Sequence, residues 1–320
     1  MTDLASPSLS RRGFLAGGGA LLLASCSSSE GATPPKVEVP EIPIGVLPVP
    51  DVAPLYLAQR DGTFERHGLR PKLVESELTG DNRFDLDSGK ETIHFDSWVT
   101  IFLNIQDGAN WVLVGEGAQA GPTSTALIIS PNSKLRTVRD LKGTRIAVNN
   151  TRGLGTMLIN ALLAKEGLTP NDVHYVETPF DQIGAAVARG DAQSGWLIEP
   201  FLTDAELGNG AVPLASTASG ATQDMPQSGY ACSLKFNQNN PRTIKAFQSA
   251  LVEAQAKVQD RAVIEREWSG YLHVKENVIS LMNVGTFPSS LRAVRPQRVA
   301  DLMYTQGMLT KPLDVSKLLA

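Results

Sequence analysis

The stretch "NNTRGLGTMLINALLAKEGL" (149–168) concentrates the residue types that could hold a charged solute. Gly153 and Gly155 sit in a loop that turns a strand into a helix. The first-turn N–H groups of such a helix have no intrahelical partner, and the positive end of the helix dipole adds to them, so an anion or an electron-rich oxygen is favoured there. Arg152 could add a fork of donors. The same residues allow a plainer reading, in which Thr151 or Thr156 caps the helix and the glycines relieve a tight turn. A dinucleotide fingerprint would need Gly or Ala at position 158, where Leu158 stands, and no phosphate loop ending in Lys-Ser/Thr occurs.

Other chemistry-bearing types are sparse. His67, His94, His174 and His273 are scattered, and His94 reads as a packed or hydrogen-bonded core residue rather than a metal ligand. The sequence offers no Gly-x-Ser-x-Gly elbow and no His-Glu-x-x-His helix. Cys232, in "GYACSLKF", reads as a small buried hydrophobe on a strand. With Cys26 as the only other cysteine, no cysteine-based metal site is available.

These groups must be positioned by an α/β framework, because short apolar strands alternate with amphipathic helical stretches. "IPIGVLP" and "GTRIAVNN" read as strands, and "LYLAQRDGTFERHG" reads as one helix. A helix is predicted from Thr156 to Glu166, with Leu158, Ala161, Leu162 and Leu163 apolar and Gly167 as its stop. "IGAAVARG" and "GWLIEP" give a further helix and strand. In "RTIKAFQSALVEAQAKVQD", Ile244, Phe247, Leu251 and Ala254 are spaced for one buried face. A faint echo links "LDSGKETIHFDSW" (86–98) with "VARGDAQSGW" (187–196): each passes a turn at Gly89 or Gly190 into a strand ending in tryptophan. That suggests two lobes of similar design around a shared cleft.

The N-terminus reads as an export signal. "SRRGFL" supplies the positive, twin-arginine element, and the apolar run from Phe14 to Ala24 is too short to span a bilayer. The run ends in "LASC", which resembles a bacterial lipobox and implies acylation of Cys26. Residues 1–25 are then a twin-arginine lipoprotein signal peptide, and 26–42 are the lipidated Cys26 and a flexible Ser/Pro-rich tether. The reading places the protein outside the cell's interior, lipid-anchored to the outer face of the cytoplasmic membrane. The formal charge of −4 over the whole chain becomes about −5 once Arg11, Arg12 and Asp3 are removed. This mild acidity argues against a nucleic-acid partner.

"IGVLPVPDVAPLYLAQRDGTFERHGLRPKLVE" is similar to the first βα unit of the periplasmic solute-binding proteins that serve ABC importers for alkanesulfonates, taurine, nitrate and thiamine pyrimidine precursors. The resemblance rests here on Ala53-Pro54-Leu55, Gly62, Phe64, Gly68 and Leu69. It continues through "LRTVRDLKGTRIAVNNTRGLGTMLINALLAKEGL", "AVARGDAQSGWLIEPF" and "GYACSLKFNQNNPRTIKAFQSAL", so that it spans roughly 43–270 in the right order. It implies a type II periplasmic binding protein fold, with two α/β lobes joined by a two-strand hinge. Lobe one would comprise 43–129 and 228–320, and lobe two 130–227. It also implies a monomer that needs no cofactor, closes on a small molecule and delivers it to permease subunits.

Carried over residue by residue, the resemblance points to ligand contacts at Asp51, Ala53 and Pro54, at Asp96, Ser97 and Trp98, and at Thr123 and Ser124. From the second lobe it points to Thr151, Arg152, Gly155, Thr156, Trp196 and Glu199, with Tyr230 near the return crossover. The Gly-x-x-Asp usual at the first-lobe strand is replaced by "SGKETIHFDSW", which loosens the assignment of Asp96 and Ser97. Glu199 before Pro200 is expected to point into the cleft. A sulfonate-type anion suits the helix start, Arg152 and the hydroxyls, and is the preferred ligand. An aminopyrimidine or similar heteroaromatic would instead use Trp98, Trp196 and Glu199. Alternatives of another kind are a pyrimidine-synthase-like enzyme, against which stands the absence of a cysteine-rich run, and a membrane-tethered ligand sensor.

Overall fold

In the computed structural model, residues 35–76, 86–283 and 285–320 are described. The proposed signal peptide, Cys26 and most of the tether lie outside them. No helix among the described residues is long and apolar enough to cross a membrane.

Among the described residues, ten strands form two five-stranded sheets. The first contains β1 (Pro43–Val46), β2 (Lys72–Glu75), β3 (Ile93–Ser97), β4 (Trp111–Glu116) and β10 (Ser228–Ser233), in the order β2-β1-β3-β10-β4. The second contains β5 (Thr125–Ile129), β6 (Arg145–Val148), β7 (His174–Glu177), β8 (Ser194–Ile198) and β9 (Val212–Ser216), in the order β7-β6-β8-β5-β9. The two orders correspond strand for strand. In each sheet four strands run in one direction, and a strand reached by crossing from the other sheet is inserted antiparallel between the third and the edge strand. Each inserted strand carries a register shift, at Tyr230/Ala231 in β10 and at Leu127/Ile128 in β5. The sequence echo now has a cause, since β3 and β8 occupy the same central place.

The helices are α1 (Ala53–Arg60), α2 (Thr63–Arg66), α3 (Trp98–Gln106), α4 (Leu154–Lys165), α5 (Phe180–Arg189), α6 (Phe201–Asn209), α7 (Leu234–Asn239), α8 (Pro241–Lys257), α9 (Arg261–Tyr271), α10 (Glu276–Leu281) and α11 (Val294–Thr305). The single helix predicted after β1 is broken in two. Gly62 adopts φ +73°, a left-handed conformation that ends α1 and starts α2. Gly167, at φ +75°, ends α4 as its type suggests. In α8 the four apolar residues chosen from spacing, Ile244, Phe247, Leu251 and Ala254, are all buried.

The chain passes between the sheets through Gly117–Ser124 and Thr217–Gln227, and the two passages meet where Gln119 bridges Pro226. A third segment joins them, because Gln119 also pairs antiparallel with Thr286. A Cβ on Gly285 would lie 2.1 Å from the Gln119 carbonyl oxygen, so this approach requires glycine. One boundary differs from those read in the sequence. Strand β5, which the sequence assigned to lobe one, pairs with β8 and β9 of the second sheet. Helix α11, expected in lobe one, packs against α3 and also reaches the second lobe: Val299, Ala300 and Met303 enter a core that holds Trp98 and Phe102 of α3 together with Met157 and Ile159 of α4, and Gln306 donates to the Met157 carbonyl at 2.9 Å. The apolar stripe of α11 decides its place, and chain order does not reveal which core that stripe will enter.

Candidate functional site

A cavity of about 150 Å³ lies where both sheets and the crossing passages converge. An engineered apolar cavity of about that volume is known to hold benzene, so the space suits a small solute.

From lobe one the wall is the loop after β1 and the end of β3. The loop is fixed from beneath: the Tyr271 hydroxyl donates to the Val49 carbonyl at 2.9 Å and the Trp268 indole donates to the Pro50 carbonyl at 3.2 Å. This holds Asp51 in the lining, where its Oδ2 accepts the Ser228 hydroxyl at 2.6 Å. Burial raises the Asp51 pKa, against the opposing pull of the Ser228 hydrogen bond. Asp96 ends β3 with Oδ1 accepting the Ser97 N–H at 2.6 Å. Ser97 also lines the cavity, while its Oγ accepts the Thr100 N–H at 3.1 Å and so caps α3.

Behind Asp96 stands a buried ionic row. His94 Nδ1 is 2.6 Å from Glu91 Oε2, and its Nε2 is 3.6 Å from Asp96 Oδ2, an ion-pair distance beyond hydrogen-bonding range. Burial alone would lower the His94 pKa, but Asp96 and Glu91 outweigh it and push it up to about 9. His94 is thus the hydrogen-bonded interior histidine that its sequence context suggested.

From lobe two the wall is built by the glycine loop and the end of β8. Asn149, Asn150, Gly153 and Leu154 line the cavity. Gly153 is the N-cap of α4 and no side chain caps the helix, so its first-turn N–H groups keep their bonding capacity. Gly155 has another task. A Cβ there would fall 2.2 Å from Trp196, so this glycine seats the indole beneath the first turn. Trp196 lines the cavity with its Nε1 donating to Thr217 Oγ1 at 3.1 Å, and its ring tilts against Phe180.

Of the residues singled out from the sequence, Asp51, Asp96, Ser97, Ser124, Trp196 and Glu199 come together in the lining. The others do not, each for a definite reason. Ala53 and Pro54 are buried in α1. Trp98 is wholly buried, stacked on Phe102, with its indole against Gly229. Tyr230 is equally buried, between Phe95 and Phe247. Thr156 is buried and donates its hydroxyl to the Asn150 carbonyl. Thr151 is exposed and bonded to Glu177, and Arg152 and Thr123 are exposed and outside the lining.

Glu199 is in the lining, but its carboxylate is occupied. It accepts the Thr203 N–H at 3.1 Å, the Thr203 hydroxyl at 2.9 Å and the Asn283 N–H at 2.9 Å. The structural task that the sequence did not suggest is to cap α6 and to tie it to the loop after α10. Burial leads in raising its pKa, opposed by the three donors. Among the described lining residues there is no Lys, Arg or His. Sequence reading missed Gln119, Gln227, Asn283 and Phe287, which come from the passages and from the loop after α10. Nothing in their local sequence marks them, because the closure of the chain on itself brings them in.

Two mixed α/β lobes with a shared cavity at their junction define the type II periplasmic binding protein fold. The chain belongs to the NMT1/THI5-like family, whose model matches residues 49–261. It is similar over 318 residues, at 24% identity and covering 92% of this chain and 90% of the other, to a protein of Bacillus subtilis (strain 168) whose name marks it as a candidate binder of aliphatic sulfonates. Among solved structures it resembles the alkanesulfonate-binding protein SsuA from Xanthomonas axonopodis pv. citri bound to MOPS, with TM-score 0.74 and 22% identity over 89% of this chain and 99% of that one. The periplasmic nitrate-binding protein NrtA from Synechocystis PCC 6803 has TM-score 0.72 and 16% identity over 88% of this chain and 86% of its own.

Proposed function

We propose that this protein is the extracytoplasmic solute-binding component of an ABC importer. It captures a small organic solute with a sulfonate-type oxygen group between its lobes and delivers it to a permease. The observation that carries this reading is the cavity at the lobe junction, lined on one side by Asp51, Asp96 and Ser97 and on the other by the uncapped start of α4 and Trp196. Contacts from both lobes to one solute exist only when the lobes are closed, so binding favours closure without any bond chemistry. The oxygen group would take the first-turn N–H groups of α4. It would not take Arg152, which stands outside the lining. The sulfonate-binding names of the relatives support the solute class, and the acyl-anchor pattern ending at Cys26 supports a tether beside the permease.

The test is calorimetric titration of the full chain with alkanesulfonates, nitrate and aminopyrimidines. Saturable binding of a sulfonate, lost when Trp196 is replaced by Ala, is the expected result. Binding of an aminopyrimidine alone would overturn the sulfonate reading. For the tether, Cys26→Ala should move the protein from the membrane fraction to the soluble fraction, and retention in the membrane would refute it.

A further inference from the structure

If the solute is the anion proposed above, on which this inference rests, it enters a space lined by Asp51 and Asp96, with no lining Lys, Arg or His among the described residues. The first turn of α4 supplies partial charge only. Asp51 has no cationic partner, and its burial favours the neutral acid. Asp96 is therefore the charge the anion must tolerate. Arg295 reaches the lining through Gln119, whose Oε1 accepts from it at 2.7 Å, but its charge is matched by buried Glu116 at 2.8 Å. The ion pair that a lining carboxylate makes among the described residues is Asp96 with His94.

His94 is 1% exposed and stands outside the lining. The fold makes room for its counter-charge: a Cβ on Gly45 would lie 2.1 Å from the Glu91 carboxyl carbon, so glycine in β1 admits that carboxylate. Ser76 donates to Glu91 Oε1 at 3.1 Å, and Glu91 Oε2 meets His94 Nδ1 at 2.6 Å. The register partners of His94 on β1 and β10 are Gly45 and Ala231, and from β4 it faces Trp111, whose indole donates to Asp87. Its Nε2 is buried without a hydrogen-bond partner, 3.6 Å from Asp96 Oδ2, so it acts on the lining through charge. The two carboxylates outweigh burial and keep the ring protonated to about pH 9. With the proton, Glu91, His94 and Asp96 sum to one negative charge; without it they sum to two.

We propose that His94, although it touches no solute, is a specificity-determining residue: its buried positive charge offsets Asp96 and Glu91 and so lets the cavity accept an anion. Its effect then follows the charge of the solute and leaves a neutral molecule of the same shape unaffected.

The experiment is calorimetry on the full chain and on His94→Gln, checked for native melting, with ethanesulfonate and its uncharged counterpart ethyl methyl sulfone. The variant should bind ethanesulfonate on the order of 10-fold more weakly, the scale of one buried unit charge acting across a small cavity, and the sulfone unchanged. In the native chain, ethanesulfonate affinity should hold from pH 6 to 8 and fall as pH rises through about 9, while the variant stays flat. Equal losses for both probes, no loss, or the same alkaline fall in the variant overturns this inference and leaves the importer reading intact. Should the variant not fold, a flat native profile from pH 6 to 10 overturns it. No binding of ethanesulfonate by the native chain removes the sulfonate reading and this inference with it.

Discussion

The ends of β3 and β8 occupy the same place in two sheets of the same order, and each presents a tryptophan and a carboxylate. They use them in opposite ways. At β3 the indole of Trp98 is withdrawn into the core against Gly229, while Asp96 lines the cavity with a buried histidine behind it. At β8 Trp196 lines the cavity above Gly155, while Glu199 is spent on capping α6 and holding Asn283. One lobe thus offers carboxylates and the other the start of α4 backed by a buried indole. Equal position in a fold does not assign equal chemistry, because the residue that each strand end presents depends on what packs behind it.

This contrast is open to direct attack. The largest effect is expected for Trp98→Ala, which should cost about 3–5 kcal/mol in urea unfolding while leaving solute affinity within about 3-fold. Trp196→Ala should also destabilise, but with a clear loss of affinity by calorimetry; equal affinity losses would erase the distinction between the lobes.

Next in size is the ionic row behind Asp96. His94 keeps its proton to about pH 9 in the folded chain, whereas an unfolded histidine releases it near 6.5. The associated stability, roughly 3 kcal/mol, is complete below pH 6.5 and is lost as pH rises through about 9. Melting temperatures followed from pH 6 to 10 should show that decline, and His94→Gln should flatten it.

Glu199→Gln should cost about 1–3 kcal/mol, because an amide turned toward the Thr203 and Asn283 N–H groups cannot accept from all three donors. A neutral melting curve would mean that this carboxylate is free for a ligand after all, making the two lobes alike. The smallest effect belongs to Arg152→Ala, expected within about 0.5 kcal/mol in stability and without change in solute affinity. A strong affinity loss there would restore the arginine to the site and weaken the contrast between the two walls.

Much of the framework was legible because local signals carry it. The alternation of strand and helix, the apolar stripe of α8 and the stop at Gly167 each depend on neighbours within a few turns. The pairing of Gly89–Trp98 with Gly190–Trp196 reflected equivalent strands, and the two sheet orders match. The cavity was only partly legible. Asp51, Asp96 and Trp196, all three in the lining, could be named from the family resemblance. Whether Trp98 or Trp196 faced the solute could not, since both residues follow similar patterns. Gly155 was legible as a special glycine, but its reason, the seat of an indole forty-one positions away in the chain, was not.

The sequence by itself determined the α/β alternation, the glycine-bounded helices, the candidate acylation pattern and the residue types available for a small-solute site. These follow from periodicity, turn chemistry and composition, which act over short distances. Only the tertiary structure decided that β5 joins the second sheet, that α11 shares a core with α4, that Glu199 is occupied, and that Gln119, Gln227 and Asn283 complete the cavity. Those outcomes depend on which apolar faces and unpaired polar groups meet across long stretches of chain, and on burial that raises the cost of every donor left without an acceptor.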